Sequence, residues 1–134
     1  MSTISALDFV TAWKDAHEAT VAQSADEKAR FLLDTVGPRI ASVALGMADA
    51  RQLKPWARDA ASEPREHAVQ LRLVALFWIT RSVATVYSPA VAARFLRSAN
   101  PQFGDEEPLV ALRSVANETD VNRVLTATRA FIEG

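Results

Sequence analysis

The 134-residue chain is about half hydrophobic, enough apolar surface for one compact domain or two small helical subdomains sharing a core. It has no cysteine, which excludes a disulfide framework and a thiolate metal site, and its two histidines, His17 and His67, exclude an all-histidine metal cluster. The net charge of -1 carries no global signature of nucleic-acid binding, so any DNA contact must come from a local patch.

The composition favours helix: Ala, Leu, Arg and Glu are plentiful, glycine occurs four times, and no long alternating Val/Ile/Thr run marks a half-buried strand. Leu7, Val10, Lys14, His17 and Val21 recur at spacings of three and four, with Phe9, Trp13 and Ala16 beside them. That pattern predicts an amphipathic first helix over residues 4–22. Ser24 and Glu27 form a capping box that opens a second helix to about Val36, closed by Gly37-Pro38. Pro38 then starts a short third helix ending at Gly46. Asp49 caps a fourth over about 50–59, and Pro64 opens a long fifth helix to Tyr87. Ser88-Pro89 repeats the cap-then-proline signature for a sixth, to about Ser98. A loop over 99–107 leads to a seventh helix at Pro108, running to about Val115. Thr119 or Asp120 caps the last, with a stripe of Val121, Val124, Leu125, Thr128 and Phe131. The expected fold is all-α, a compact bundle of about eight helices.

The segment 40–58, IASVALGMADARQLKPWAR, has the length and punctuation of a helix-turn-helix. Gly46 can take a left-handed backbone that lets two helices cross. Ile40, Val43, Ala44, Leu53 and Trp56 are expected to seal the corner. Arg51, Gln52, Lys54 and Arg58 are the candidate DNA-binding residues, since Arg and Gln side chains pair with base edges in the major groove. Residues 39–72 hold six basic and four acidic side chains, a small surplus that favours a dimer for tight DNA binding. Pro55 lies inside this fourth helix, where it removes a backbone hydrogen bond; if the helix begins near Lys54, Arg51 and Gln52 lie in the turn instead.

No signature of catalysis stands out. His17 near Asp15 and Glu18, and His67 near Glu63 and Glu66, read as solvated surface charge on helices. Asp105, Glu106 and Glu107 precede a helix start, where acidic residues favour the helix dipole. The phosphate-binding loop, the dinucleotide glycine fingerprint and the nucleophile elbow are all lacking. The expectation is a binding protein with no enzyme activity, no cofactor and no metal. The first thirty residues lack a basic start followed by an apolar block, and the longest apolar run, Leu73 to Ile79, is far short of the roughly 20 residues a membrane span needs. A cytoplasmic location away from membranes is therefore expected.

The C-terminal half reads FLRSANPQFGDEEPLVALRS and then NRVLTATRAFIEG. With the 40–58 segment before it, the chain over residues 39–134 resembles the Xre/MbcA/ParS antitoxin family, partners of RES-domain toxins. Phe95-Leu96 stand at the usual Trp-Leu, Asn100-Pro101 at the Asn-Pro, and Phe103-Gly104 at the Leu-Gly. Pro108-Leu109 and Leu112 match the helix start, and Val124-Leu125 with Gly134 match the end. Asp105 departs from the pattern, standing where a second glycine is common, and Glu118-Thr119-Asp120 lack the glycine usual before Val124.

The resemblance implies an N-terminal half that binds operator DNA for autorepression and a C-terminal half that docks on the toxin and obstructs its NAD-binding pocket. It makes Asn100, Pro101, Gln102, Phe103, Phe131 and Gly134 the candidate partner-binding residues. From residue 101 onward there are six acidic and three basic residues, which suits a partner with a basic mouth. Three units follow: residues 1–24 as a candidate dimerisation element, 25–87 as the helix-turn-helix domain with its connecting helix, and 88–134 as the toxin-binding subdomain. A homodimer is expected. The competing expectations are a stand-alone or phage-encoded helix-turn-helix regulator that uses its second half for dimerisation, and an adaptor bundle with a vestigial motif.

Overall fold

Local chemistry sets most of the helix boundaries. At Ser24 the backbone amide donates to Glu27 Oε1 at 3.2 Å and the hydroxyl donates to the same oxygen at 2.8 Å, anchoring the first turn of α2 (Ala25–Thr35). Gly37, with φ 88°, turns the chain directly into Pro38, the first residue of α3 (Pro38–Leu45). Ser88 Oγ accepts from the Val91 amide at 3.1 Å and so caps α6 (Pro89–Leu96). Pro108 opens α7 (Pro108–Arg113) in the same way as Pro38 opens α3. The computed structural model describes residues 6–63 and 65–134. Every helix expected from the sequence has a counterpart there, and the chain is all-α: α1 (Ala6–Ala22), α4 (Leu53–Arg58), α5 (His67–Val86) and α8 (Glu118–Glu133) complete the eight, with three short 3-10 turns between them.

Residues 4 and 5 of the expected first helix and Pro64 lie outside the described residues. Four details differ from the sequence pattern. In α1 the buried face is Phe9, Ala12, Ala16 and Thr20 with Trp13 half-buried, while Val10 and Val21 are 55 % and 75 % exposed. Both faces of this helix carry apolar residues at helical spacing, and the face bearing Phe9 and Trp13 has more area to remove from water. The fourth helix opens as a 3-10 turn, Ala50–Gln52, and becomes α-helical only at Leu53. Pro55 thereby falls in the first turn of α4, where its missing amide costs no intrahelical bond. Helix α5 starts at His67 because Glu66 keeps an extended backbone, ψ 123°; nothing apolar among Glu63, Arg65 and Glu66 holds an earlier turn against the core. Finally, Asn117 rather than Thr119 or Asp120 caps α8, its Oδ1 accepting from the Asp120 amide at 2.9 Å, while Asp120 reaches back to the Ala116 amide at 3.0 Å.

Helix α5 is the hub. It packs against α1, α2, α3, α6, α7 and α8, and Leu73, Ala75, Leu76, Ile79 and Val83 run through one hydrophobic cluster that extends from Phe9 to Ile132. Each fully buried Leu, Ile or Val contributes about 1.5–3 kcal/mol against leaving it in water. The length and apolar composition of α5 match a membrane span, yet half of its most apolar stretch is buried inside the protein. Burial on so many sides explains the composition. Of the residues expected at the corner, Ala44, Leu53 and Trp56 are fully buried and Ile40 and Val43 are half-buried. Where α2 crosses α5, Phe31 meets Phe77 edge-on at 5.2 Å, and Arg81 lies over both rings at 5.8 and 5.9 Å.

Arg72 on α5 joins the two halves of the chain. Its Nη1 donates to the Leu45 carbonyl at the end of α3 at 3.2 Å, and its Nε donates to the Val115 carbonyl just past α7 at 2.9 Å. These carbonyls belong to helix ends and otherwise lack intrahelical donors. Gly46 has φ 74°, and a Cβ there would stand 2.5 Å from Arg72 Nη1. Glycine is thus required twice, for the left-handed backbone and for the approach of the guanidinium. Gly46→Ala is expected to destabilise the protein by about 2 kcal/mol and Arg72→Met by a similar ~2 kcal/mol. The double variant should cost clearly less than the sum, because both changes strike one contact. Urea unfolding midpoints of the three variants measure this; strict additivity would show that Gly46 and Arg72 act separately.

Candidate functional site

Two surfaces were expected, one at the α3–α4 corner and one in the C-terminal subdomain. At the corner, Asp49 caps the 3-10 turn by accepting from the Arg51 amide at 2.9 Å. The same carboxylate holds the Arg51 guanidinium through Nε at 3.1 Å and Nη2 at 2.9 Å. The Arg51 side chain is 90 % exposed, so this pair adds little stability. It does set the geometry: Arg51 is bent back on its own turn. Hydrogen bonding to Arg51 holds the Asp49 carboxyl below the usual carboxylate range and raises Arg51.

Exposed Gln52 lines an open hollow of about 740 Å³ together with Met47, Pro55, Arg65 and Glu66. Lys54 and Arg58, also exposed, line a different hollow on the side where α4 packs against α2. The structure therefore brings Lys54 and Arg58 together and separates them from Gln52 and Arg51. Pro55 is the local cause: with α4 starting at Leu53, Arg51 and Gln52 lie in the 3-10 turn and leave the helical register that Lys54 and Arg58 share. Arg72, counted with the basic surplus of this segment, is committed to carbonyls inside the protein, leaving a surplus of one.

The C-terminal surface is built around the 99–107 loop. Asn100 organises it. Its Oδ1 accepts from the Gln102 amide at 2.8 Å and its carbonyl accepts from the Phe103 and Asp105 amides at 2.9 and 3.0 Å. Its own amide donates to the Glu106 carbonyl at 3.0 Å, closing the loop as an isolated bridge. Pro101 and Gln102 are left exposed, while Phe103 is half-buried, its ring edge-on to Phe95 at 5.7 Å. Phe131 on α8 stacks on the same Phe95 at 4.4 Å and approaches Tyr87 at 6.2 Å. Phe95 therefore connects two candidate partner-binding residues that lie far apart in sequence, and Phe103 anchors the loop. Gly134 is exposed at the end of α8 with φ 79°.

Between this loop, α7 and α8 lies a cleft of about 420 Å³. Phe103, Val115, Val124 and Ala127 supply its apolar wall, and Gln102, Glu106, Asp120 and Arg123 its polar rim. Gln102 and Phe103 face it; Asn100, Pro101, Phe131 and Gly134 are not among the residues that line it. Asp120, Arg123 and Ala127 were missed by sequence reasoning, because only the packing of α8 beside the loop places them there. Arg123 Nη1 stands 3.8 Å from Asp120 Oδ1, a long and weak pair whose arginine is exposed.

Comparison with protein-family models, with curated proteins and with solved structures returned no match.

Gly104 and Asp105 have φ 64° and 65°, two consecutive left-handed residues, and Asp105 is the one non-glycine residue with positive φ among the described residues. A side chain in this region costs about 1 kcal/mol, less for Asp than for most. Asp105 also stands beside Glu106 and Glu107, so its charge adds repulsion. Asp105→Gly is expected to stabilise the protein by about 0.5 kcal/mol and to leave helix content unchanged. A rise in the urea midpoint with an unchanged circular dichroism spectrum is the result to look for; a fall would mean that the Asp105 carboxylate holds the loop.

Proposed function

We propose that the protein is an antitoxin-type regulator that binds a RES-domain toxin through the C-terminal cleft and the 99–107 loop. The cleft is the observation that carries this reading. It is a concave, partly apolar surface with a polar rim, the form expected of a docking site for a protein partner. Its rim carboxylates, Glu106 and Asp120, and the acidic excess beyond residue 101 suit a partner with a basic mouth.

The resembling residues also fall where their chemistry is used. Asn100 ties the loop, Gly104 takes a left-handed turn, and Pro108 opens α7. Leu96 and Leu112 are fully buried, and Val124 and Leu125 nearly so. The position where the family pattern has its second glycine, here Asp105, is a left-handed one. In this reading the protein acts in the cytoplasm without catalysis and blocks its partner by occupying the approach to its NAD pocket. It pairs as a homodimer through the outward face of α1, where Val10 and Val21 are exposed.

A second reading, a helix-turn-helix regulator that uses its C-terminal half for dimerisation, is favoured by the exposed basic side chains Lys54 and Arg58 on α4, the helix that follows the Gly46 corner in the chain. Co-expression separates the two. A RES-domain toxin encoded beside this chain should arrest growth alone and fail to do so when the chain is co-expressed. Gln102→Arg with Ala127→Arg, which put bulk and like charge into the cleft, should cut rescue at least tenfold in viable count, consistent with the cost of ~1.4 kcal/mol or more at an interface centre. Full rescue by this variant would remove the cleft from the account, and no rescue by the parent chain would favour the second reading.

A further inference from the structure

We propose that the hollow between α2 and α4 is a phosphate-binding site formed by Arg30, Lys54 and Arg58. This goes beyond toxin docking and is independent of it. Three cations line the hollow, with no carboxylate among its lining residues, and Leu33 and Ala57 supply the apolar part. Lys54 and Arg58 stand one turn apart on α4, and Arg30 approaches from α2, the helix against which α4 packs most extensively. Among the described residues, neither Lys54 nor Arg58 has an acidic partner within 4.0 Å. Arg30 has one, Asp26 Oδ2 at 3.4 Å, but that pair is long, one turn apart on the same helix and 55 % exposed on the arginine side. Such pairs are worth a few tenths of a kcal/mol and yield to a stronger anion. Asp34 lies one turn beyond Arg30 on α2 and is not part of the lining.

Three positive charges around one apolar-walled space repel one another until an anion joins them. Guanidinium forks match the geometry of phosphate oxygens, and the lysine ammonium adds a mobile point charge. At about 500 Å³ the hollow has room for a phosphate with sugar attached. The three side chains sit on two helices locked by Leu32, Leu53 and Trp56, all fully buried, so the backbone positions that carry the cations are fixed before any ligand arrives. The shared ligand chemistry is a phosphate group, carried either on a DNA backbone or on a small molecule. A backbone phosphate fits the position: in that case Lys54 and Arg58 fix the protein on the duplex without reading its bases.

The test uses the full chain and the variant Arg30→Gln/Lys54→Gln/Arg58→Gln. Anisotropy of a labelled duplex of about 25 base pairs is followed over a salt series, and inorganic phosphate is titrated separately while backbone amide shifts of α2 and α4 are recorded. If the source is DNA, each lost cation should weaken duplex binding roughly 5- to 10-fold at low salt and reduce the logarithmic salt slope by about one. If the source is a small phosphate, the duplex does not bind, and millimolar phosphate moves the Leu33 and Ala57 amides in the parent chain alone. Either result upholds the site. The control Arg94→Gln/Arg97→Gln removes two exposed cations on and just beyond α6. Equal losses from the control, or no binding of either probe by the parent chain, would overturn the proposal. Should the triple variant lose helicity, Arg58→Gln alone against Arg58→Lys serves, with lysine, which keeps the charge but not the fork, expected to bind more tightly than glutamine and less tightly than the parent arginine.

Discussion

The guanidinium of Arg72 reaches from the central helix to the carbonyls of Leu45 and Val115, and most of the layout depends on that bridge. Helix ends leave carbonyls without donors, and a fold that brings two such ends together must satisfy them or keep them wet. Here one side chain serves both. Leu45 closes α3 and Val115 follows α7, so the corner bearing Gly46 and the subdomain bearing the cleft are fixed to the same point on α5. Glycine at position 46 leaves room for the contact. The packing of α3 directly on α7 is the apolar side of the same junction. A charged donor with two carbonyl acceptors is directional, whereas the surrounding Leu, Ala and Val contacts are not, so the bridge defines orientation while burial supplies the bulk of the stabilisation.

This junction has a consequence for the two candidate surfaces. They share one hydrophobic cluster, and α7 and α8 are joined to α2 and α4, the helices that carry the basic side chains, through α3 and α5. The cationic hollow opens between α2 and α4, and the cleft opens between the 99–107 loop, α7 and α8, with none of their lining residues in common. Such a layout suits a protein that holds two ligands at once. The charge pattern also differs: cations alone supply the charge at one opening, while Glu106, Asp120 and Arg123 rim the other.

Boundaries governed by neighbouring residues were legible in the sequence. Gly37-Pro38, Ser88-Pro89 and Pro108 each mark a helix start by a constraint that does not depend on the rest of the fold. The left-handed Gly46 belongs to the same class. What depended on tertiary packing was not legible. In α1, the choice between the Val10–Val21 face and the Phe9–Ala16 face is made by where α5 and α8 lie; Trp13 packs against Trp78 at 5.4 Å and lies under Arg129 at 5.7 Å. Arg72 read as one more basic residue near a DNA-binding motif, because its partners are 27 and 43 positions away. Arg30 and the pair Asp120–Arg123 were invisible as site residues for the same reason. Pro55 was the informative exception: its position implied that a helix starting late would separate Arg51 and Gln52 from Lys54 and Arg58, and α4 does start late.

Hydrogen–deuterium exchange on the full chain, alone and bound to a co-purified RES-domain toxin, tests the central claim most directly. Docking in the cleft predicts slowed exchange across residues 100–107 and 114–127, with residues 50–58 and α1 exchanging as in the free protein. A footprint confined to α1 or to residues 50–58, with the cleft unchanged, would contradict it.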